Sequence, residues 1–325
     1  MRYQRQEIHP GIGKAGQKKI ERATMAIIGT GALGSVSAEL AARAGVGHIL
    51  LIDRDIVELS NLQRQSLFTE ADIGKPKASA AKAHLESINS TIRITAIDQD
   101  IDNDTLSFSS KKTPPGLILD CTDNMETRYL LNDYARKHEI PFIYASAIQS
   151  KGYVFVTDKE TPCLRCFLND STSYDTCDTQ GVMNTIIHII SALQVGEALK
   201  IITGKKTEDK LLFVDSQNNT IEKIKVTKNL HCECCGKRNF EFLEKDISTR
   251  PVKLCGRGMF QIKKPVGKKE YHSIKNKLTT SKKVHDLGTC ISVDGKLTFF
   301  PDGRALIRAG TEKEARSLYS KIIGN

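Results

Sequence analysis

Four cysteines occur as two widely separated Cys-x-x-Cys pairs, Cys163 with Cys166 and Cys232 with Cys235. Two such pairs supply the four thiolates of a closed, tetrahedral zinc site. The alternative is a set of reduced thiols packed in a core, and Cys234, inside the second pair, would compete as a ligand. We expect Zn²⁺, because cysteines in a chain that lacks a signal peptide indicate metal or thiol chemistry before disulfides.

A glycine-rich turn, GTGALG, contains Gly29, Gly31 and Gly34, and Asp53 follows nineteen residues after Gly34. Glycines let the backbone approach a phosphate, the next helix offers free N–H groups, and the acid accepts hydrogen bonds from ribose hydroxyls. The pattern predicts a nucleotide site without fixing the nucleotide, so NAD remains open on these residues. The alternative is a tight turn that binds no ligand.

Two cation-bearing segments, SNLQRQ (60–65) and GKPK (74–77), follow this turn. A hydride-transfer enzyme has no need for extra cations near a pyrophosphate. An enzyme that attacks the α-phosphorus of a triphosphate does, because charge moves onto the leaving phosphates. Arg64 and Lys77 suit that role, with Arg5 as a third candidate. The ordinary explanation of any single one of them is a solvated surface charge.

The segment DCTDN (120–124) follows a predicted strand, at the edge of a parallel sheet where ligands bind. Asp123 is therefore predicted to hold Mg²⁺, which prefers oxygen ligands, on a phosphate. The alternative is a cap for the next helix, since Asp and Asn are good caps, and the two roles are compatible.

A fifth cysteine of interest, Cys177, belongs to neither pair and stands in a polar loop before a long helix. A loop cysteine near a helix N-terminus has a lowered pKa and acts as a nucleophile in many enzymes. A passive thiol explains it equally well on these grounds.

These residues need a framework in which strands alternate with helices. We predict strands at 24–29, 48–53, 92–97, 117–121, 142–145, 153–157 and two near 211–226, and helices at 14–22, from the glycine turn to 44, 76–88, 125–138 and 182–203. The alternation predicts an α/β fold: a Rossmann-like, mostly parallel sheet with helices on both faces. Zinc would staple the crossover region to the end of the later strand pair.

Two domains are predicted from composition, 1–250 and a small α+β domain at 251–325. The chain has 325 residues and a net charge of +10. Residues 1–250 carry 32 Lys+Arg and 32 Asp+Glu, whereas 251–325 carry 16 and 6, so the excess of +10 lies on the tail. There, turns at Asp294-Gly295 and Asp302-Gly303 predict a meander of strands 289–293, 296–301 and 304–308, with a last helix at 311–323.

No run reaches the roughly 18 to 20 uninterrupted apolar residues that cross a bilayer. The N-terminus also lacks the apolar region of a signal peptide. We therefore expect a cytoplasmic protein with no membrane partner. The basic tail lacks an aromatic stacking pattern, which argues against nucleic acid.

Taken together, these segments resemble the ThiF/MoeB/HesA adenylyltransferases, relatives of ubiquitin-activating enzymes. The matching segments run in the family's order over roughly residues 1–236: RYQRQ (2–6), GTGALG (29–34), LIDRD (51–55), SNLQRQ, GKPK, DCTDN, the two CxxC pairs, and CDTQGV (177–182) before ALQVGEALK (192–200). The tail resembles an appendage of some bacterial members through LCGR (254–257) and FPDGR (300–304). After Val182 the chain departs from the family pattern of small residues and proline.

The resemblance implies a reaction and its partners. A ubiquitin-like sulfur carrier protein ending in Gly-Gly would attack the α-phosphate of MgATP through its C-terminal carboxylate, giving an acyl adenylate and pyrophosphate. The product would serve thiamine thiazole or molybdopterin synthesis. No rhodanese-like domain is recognisable in the printed sequence, so we expect a separate sulfurtransferase as the sulfur donor.

The resemblance also implies roles for single residues. Asp53 would hold the ribose, Asn61, Arg64 and Lys77 the phosphates, and Asp123 Mg²⁺. Arg5 would reach the nucleotide of the other subunit of a homodimer, and Cys177 would form a covalent link to the carrier.

Two alternatives from other classes stay open. A Rossmann-type NAD-dependent oxidoreductase rests on the glycine turn and Asp53 alone, and a zinc-bearing module that binds RNA through its tail ranks lower. A tRNA-modifying branch of the same superfamily also activates its substrate with ATP, but its members usually lack the double CxxC. For the basic tail, the favoured hypothesis is that it steers an acidic carrier to the site.

Overall fold

The computed structural model describes residues 2–102, 105–106, 114–168, 180–244, 252–254, 259–264, 266–279, 284–287 and 290–324. The chain divides into two compact units, Met1–Lys245 and Asp246–Asn325. Among its described residues the first unit contains α1 (Gln4–Ile8), α2 (Gly13–Arg22), β1 (Thr24–Ile28), α3 (Ala32–Ala44), β2 (His48–Ile52), α4 (Lys77–Ile88), β3 (Arg93–Ile97), β4 (Leu117–Asp120), α5 (Met125–Lys137), β5 (Phe142–Ile148), β6 (Lys151–Thr157), α6 (Asn184–Thr203), β7 (Leu211–Asp215), β8 (Thr220–Ile224) and α7 (Glu241–Glu244).

The strands of the first unit form one sheet in the order β3-β2-β1-β4-β5-β6-β7-β8. The first five run parallel, and β6, β7 and β8 join as antiparallel neighbours. β2 is buried over its whole length, as expected for a central strand covered on both faces. The predicted mostly parallel α/β sheet is confirmed.

The strand order reverses at β1, which lies between β2 and β4. The connection through α3 leads from β1 to β2, and the one through α5 leads away in the other direction, from β4 to β5. Right-handed crossovers therefore place α3 and α5 on opposite faces of the sheet. α3 packs against α4 and α6, whereas α5 packs on β4, β5 and α7. The crevice between β1 and β4 is the position where open parallel sheets bind ligands.

The helix α6 contacts several other elements in the core. Among the described helices it alone is long and apolar enough to cross a membrane, by length and composition only. It packs on α3, β5 and β6. Its Gln194 is fully buried, accepts a hydrogen bond from Ser37 on α3 (3.1 Å), and donates to the carbonyls of Asp120 (2.9 Å) and Ile143 (2.9 Å). One amide thus satisfies polar groups of a helix and two strands inside the core.

The second unit is an antiparallel sheet with two helices. Its described elements are β9 (Val252–Leu254), β10 (Met259–Lys263), α8 (Lys268–Thr279), β11 (Val284–Asp286), β12 (Ile291–Val293), β13 (Leu297–Phe299), β14 (Arg304–Arg308) and α9 (Glu312–Ile322). The strand order is β11-β12-β13-β14-β10-β9. Side chains of both helices and alternate residues of the strands share one apolar core, which includes Tyr271, Phe299 and Tyr319.

The meander predicted for the tail is present. β12 pairs with β13 and β13 with β14, both antiparallel. Asp294 and Gly295 adopt φ of 51° and 64°, the left-handed pair that a two-residue hairpin needs. The sequence did not reveal α1, β9, β10, α8 or β11, because their short or strongly charged segments carry no clear apolar period.

Candidate functional site

The glycine turn lies between β1 and α3. Gly29 has φ of +86°, and a Cβ there would lie 2.6 Å from the carbonyl oxygen of Cys121, while one at Gly34 would lie 1.8 Å from the carbonyl of Gly29. These two glycines are required by close backbone packing. A Cβ at Gly31 would meet only the side-chain nitrogen of Gln65, at 3.7 Å. Gly31 is the N-cap residue of α3 and provides no side-chain cap, so the N–H groups of the first turn remain for a ligand.

Asp53 follows β2 and is bonded to this turn. Its Oδ2 accepts from the backbone N–H (2.6 Å) and hydroxyl (2.9 Å) of Thr30, and its Oδ1 accepts from the backbone N–H of Asp55 (2.7 Å). The residue is 9% exposed. The carboxylate is therefore fixed beside the turn before a ligand arrives, with lone pairs left to accept from ribose hydroxyls.

The SNLQRQ segment places two of the predicted phosphate ligands in different settings. Asn61 ends the short 3₁₀ helix Leu59–Asn61, is 1% exposed, and accepts a hydrogen bond from the backbone N–H of Glu58 at 3.2 Å. Arg64 is half-buried and donates to the carbonyl of Ser60 at 3.0 Å. Asn61 is thus held rigidly, whereas most of the Arg64 guanidinium donors remain free for an anion.

Lys77 is brought to the site by pairing between two loops. Its backbone N–H donates to the carbonyl of Asp55 (2.8 Å), and a β-bridge joins Ile56 to Pro76. Its side chain is 2% exposed, with Nζ 3.4 Å from Oδ2 of Asp55. An ammonium group held this far from water acts on a phosphate with little screening. Asp55, in the motif LIDRD, was not predicted as a site residue.

Asp123 stands in the turn between β4 and α5. It is exposed, and no hydrogen bond or ion pair joins its carboxylate to another described residue. The neighbouring Asn124 caps α5, accepting from the N–H of Thr127 at 2.8 Å. The capping role therefore falls to Asn124, and the carboxylate of Asp123 remains available for a cation.

Arg54 links three carboxylates at this edge of the sheet. Its guanidinium pairs with both oxygens of Asp100, at 3.1 and 3.2 Å. Burial is the largest single influence and opposes the charge on Arg54, but the nearby carboxylates, led by Asp100, together outweigh it and raise the pKa of the guanidinium. The carboxylates of Asp55 and Asp123 act in the same direction, so both lie within electrostatic reach of Arg54. Sequence reasoning missed this residue, although it stands next to Asp53.

Arg5 is not brought to the site of its own chain. It is exposed on α1, and the neighbouring Gln6 donates to the carbonyl of Ala44, the last residue of α3, at 2.8 Å. The glycine turn lies at the other end of this thirteen-residue helix, about 20 Å away at 1.5 Å per residue. Any role of Arg5 in catalysis therefore belongs to a site other than its own.

The four paired cysteines form one cluster. The Sγ atoms of Cys163, Cys166, Cys232 and Cys235 lie within 4.8 Å of one another. Neighbouring sulfurs are 3.4 Å (Cys166 to Cys235), 3.6 Å (Cys163 to Cys232) and 4.0 Å (Cys163 to Cys166) apart. Zn–S bonds of about 2.3 Å in a tetrahedron require sulfurs about 3.8 Å apart. The donor set fits Zn²⁺.

Cys234 does not join this cluster. It is fully buried, and its sulfur accepts from the side-chain nitrogen of Asn132 on α5 at 3.3 Å. The same Asn132 side chain accepts from the backbone N–H of Leu164 at 2.9 Å. The four-sulfur set thus leaves out Cys234, which lies beside Cys163 with its thiol engaged by Asn132 on α5. Cys177 lies outside the described residues.

Several of the predicted site residues come together, whereas Arg5 does not. The turn glycines, Asp53, Asp55 and Lys77 are connected by direct contacts, and Asp123 joins them through the charge of Arg54. Such an arrangement defines a nucleotide-binding α/β protein of the Rossmann type, with a separate four-cysteine centre on the crossover segment.

Known proteins resemble this chain in sequence and fold. The ThiF family model matches residues 3–235. The chain is 39% identical, over 99% of both sequences, to the sulfur carrier protein ThiS adenylyltransferase of Bacillus subtilis (strain 168). It is 35% identical to the molybdopterin-synthase adenylyltransferase of Salmonella typhimurium, over 73% of this chain and 96% of that protein. Crystalline Escherichia coli MccB with MccA-N7isoASN matches with a TM-score of 0.65, over 73% of this chain and 75% of that one, and at 24% identity shows the fold alone.

The chain belongs to the ThiF family. The resemblance inferred from the motifs is thereby confirmed.

Proposed function

We propose that this protein adenylates the C-terminal Gly-Gly carboxylate of a ubiquitin-like sulfur carrier protein, for thiamine thiazole or molybdopterin synthesis. A carboxylate oxygen of the carrier attacks the α-phosphorus of ATP, the bond from that phosphorus to the bridging oxygen breaks, and pyrophosphate leaves with the electron pair. The observation that carries the proposal is the match to the B. subtilis ThiS adenylyltransferase over 99% of both chains. The family gives the hydride-transfer alternative no support.

The geometry suits this reaction. The open side of Gly31 and the start of α3 offer N–H groups to the phosphates, and Asp53 is fixed where it can accept from ribose. Asn61, Arg64 and Lys77 would hold the phosphates, with Lys77 facing the charge that grows on the leaving group. The attacking carboxylate is already ionised, so no general base is needed.

Two metal ions belong to the proposal. Asp123 would hold Mg²⁺, and its exposed carboxylate, freed from capping by Asn124, fits a cation that prefers oxygen ligands. When bound, Mg²⁺ supplies charge stabilisation on the phosphates. The four cysteines would hold Zn²⁺ in a structural role, because all four tetrahedral positions are filled by thiolates.

A homodimer is part of the proposal because Arg5 lies near the end of α3 that is remote from the glycine turn of its own chain. In the dimer, Arg5 of one protomer would reach the nucleotide of the other. We further propose a cytoplasmic location and a separate sulfurtransferase as sulfur donor. We also propose a covalent carrier adduct, in which the Cys177 thiolate attacks the acyl carbon of the adenylate, a C–S bond forms, and AMP leaves with the electrons of the broken C–O bond. Cys177→Ala is then expected to retain adenylation and lose the adduct; loss of both would show that Cys177 supports the structure.

The basic second unit is proposed to guide the carrier. The Salmonella relative is matched over 96% of its length by only 73% of this chain, so an adenylyltransferase of this family exists without such a unit. Deleting residues 246–325 should raise the half-saturating carrier concentration in a salt-dependent way and spare ATP binding. Unchanged carrier affinity would rule out this role.

The direct test of the function is exchange of labelled pyrophosphate into ATP. We expect exchange that depends on the sulfur carrier ThiS of B. subtilis and disappears when its two terminal glycines are removed. Absence of exchange with ThiS and with a molybdopterin-synthase carrier, together with tight NAD binding, would favour the oxidoreductase instead.

A further inference from the structure

Gln65 is a buried polar residue that the proposed reaction has not used. Its backbone N–H donates to the carbonyl of Asn61 at 3.0 Å, and the residue is 2% exposed. Its side-chain Oε1 is buried without a hydrogen-bond partner among the described residues. Its Nε2 lies beside Gly31, 3.7 Å from the position a Cβ would take there. The carboxamide is therefore aimed at the open glycine where α3 begins.

An unpaired buried amide is costly. Taking such a group from water without replacing its hydrogen bonds destabilises the folded state, and buried polar groups in proteins are almost always paired. A leucine at this position would be of similar size and would carry no such penalty. The free protein therefore bears a polar group whose partner arrives from outside.

The chemistry of the Gln65 carboxamide limits which groups can form a hydrogen bond with its buried oxygen. Phosphates and an ionised carboxylate have no hydrogen to donate, so neither satisfies a buried acceptor. Ribose hydroxyls are donors, but Asp53 is already placed to accept from them. The adenine amino group is a donor too, but it lies beyond the ribose from the phosphates that the start of α3 would hold. The donor that adenylation brings next to the α-phosphate is the amide N–H of the carrier's C-terminal peptide. A carboxamide pairs with a peptide unit on both its N–H and its C=O.

We propose that Gln65 binds the last peptide unit of the carrier and thereby holds the carboxylate in line with the α-phosphorus. This inference rests on the proposed function. It assigns Gln65 to the carrier, whereas the neighbouring Arg64 serves the nucleotide.

The experiment compares Gln65→Leu with Gln63→Leu, a control at an exposed position in the same segment. Pyrophosphate exchange is measured with B. subtilis ThiS, and affinity for a non-hydrolysable ATP analogue by calorimetry. Gln65→Leu should raise the half-saturating ThiS concentration about 10-fold, leave analogue affinity within about twofold, and preserve or raise the unfolding temperature. The control should change none of these. Weaker analogue binding with unchanged ThiS dependence, or a lowered unfolding temperature, would overturn the proposal.

A second measurement tests the contact itself. ThiS is prepared with an N-methylated terminal glycine, which removes the donated N–H. The wild-type enzyme should lose activity with this carrier, and Gln65→Leu should lose little more than it has already lost, because both changes break one interaction. Fully additive losses would refute the contact. If the wild type shows no exchange with any carrier, the proposed function is wrong. If the wild type shows normal exchange and the Gln65→Leu variant is unaffected, only this inference is wrong.

Discussion

Nζ of Lys77 lies 3.4 Å from Oδ2 of Asp55, and only 2% of the lysine side chain is exposed. The two residues stand next to the β-bridge between Ile56 and Pro76, so the ammonium group is positioned by backbone pairing before substrate binds. A preorganised cation needs little rearrangement when charge develops on a leaving phosphate. Lys77 should therefore act mainly on the rate of chemistry.

Lys77→Met tests this position. We expect carrier-dependent pyrophosphate exchange to fall by on the order of 100-fold or more, with an unfolding temperature close to that of the wild type, because methionine fills the buried space without charge. Lys82→Met on the same helix is the control, since Lys82 is 41% exposed. Equal rates for the two variants would remove Lys77 from the reaction.

Substitutions at Asp123 and at its neighbour Asn124 should affect metal binding and helix capping separately. Asp123→Asn should raise the Mg²⁺ concentration for half-maximal exchange about 10-fold, equal to about 1.4 kcal/mol, and leave unfolding unchanged. Asn124→Ala should instead lower the free energy of unfolding by about 1 kcal/mol through loss of the cap. A Mg²⁺ titration and urea unfolding of both variants measure these effects. If Asp123→Asn lowered the free energy of unfolding and Asn124→Ala raised the Mg²⁺ requirement, the two residues would have the opposite roles.

The cysteine cluster predicts about one zinc per chain by elemental analysis. Cys232→Ser should lose the metal and lower the unfolding temperature, because structural zinc binding contributes directly to folding. Cys234→Ser is the matched control in the same segment, and it should retain zinc because its sulfur is bonded to Asn132. Wild-type protein without zinc, or zinc loss in the control, would contradict the four-ligand site.

The hydrogen-bonded carboxylate of Asp72 is expected to contribute to stability in an acid-sensitive way. Burial opposes its ionisation, but hydrogen bonds from Thr69, His84 and Lys75 outweigh it and hold the pKa of Asp72 well below its usual range. A carboxyl with a depressed folded-state pKa stabilises the fold above its unfolded pKa of about 3.9, and this contribution is lost as pH falls below it.

The wild type should accordingly exceed Asp72→Asn in free energy of unfolding by about 1 to 3 kcal/mol at pH 7. The difference should shrink by about 1 kcal/mol at pH 3. Urea unfolding at the two pH values measures it. Glu70 and Asp72 both belong to the short 3₁₀ helix Glu70–Asp72. Glu70→Gln, a change at an exposed position, should show no such difference. A gap for Asp72→Asn that stays constant between the two pH values would show that this carboxylate does not titrate as described.

Arg5 predicts complementation between subunits. Arg5→Ala and Lys77→Met homodimers should each be nearly inactive. Mixing them under exchange conditions should restore activity, because half of the mixed dimers' sites combine an intact Arg5 with an intact Lys77. Recovery of exchange after mixing is the readout. Arg5→Ala with full activity alone, or no recovery in a verified mixed dimer, would exclude a role across the interface.

Local patterns in the sequence determined much of this protein. The glycine turn, the acid after β2 and the paired cysteines were all predicted, because each depends on spacing within a few residues or on a strand–turn–helix period. The alternation of strands and helices determined the sheet. The motif order then determined the family.

Tertiary structure decided how those residues are used. Whether Asp123 or Asn124 caps α5, whether Cys234 is a ligand, and what pairs with Lys77 all depend on contacts between distant segments. Gln65 illustrates the limit, since nothing in the segment SNLQRQ distinguishes the exposed Gln63 from the buried Gln65. Burial and unpaired hydrogen-bonding capacity are set by what the chain folds against, and spacing along the sequence carries no record of them.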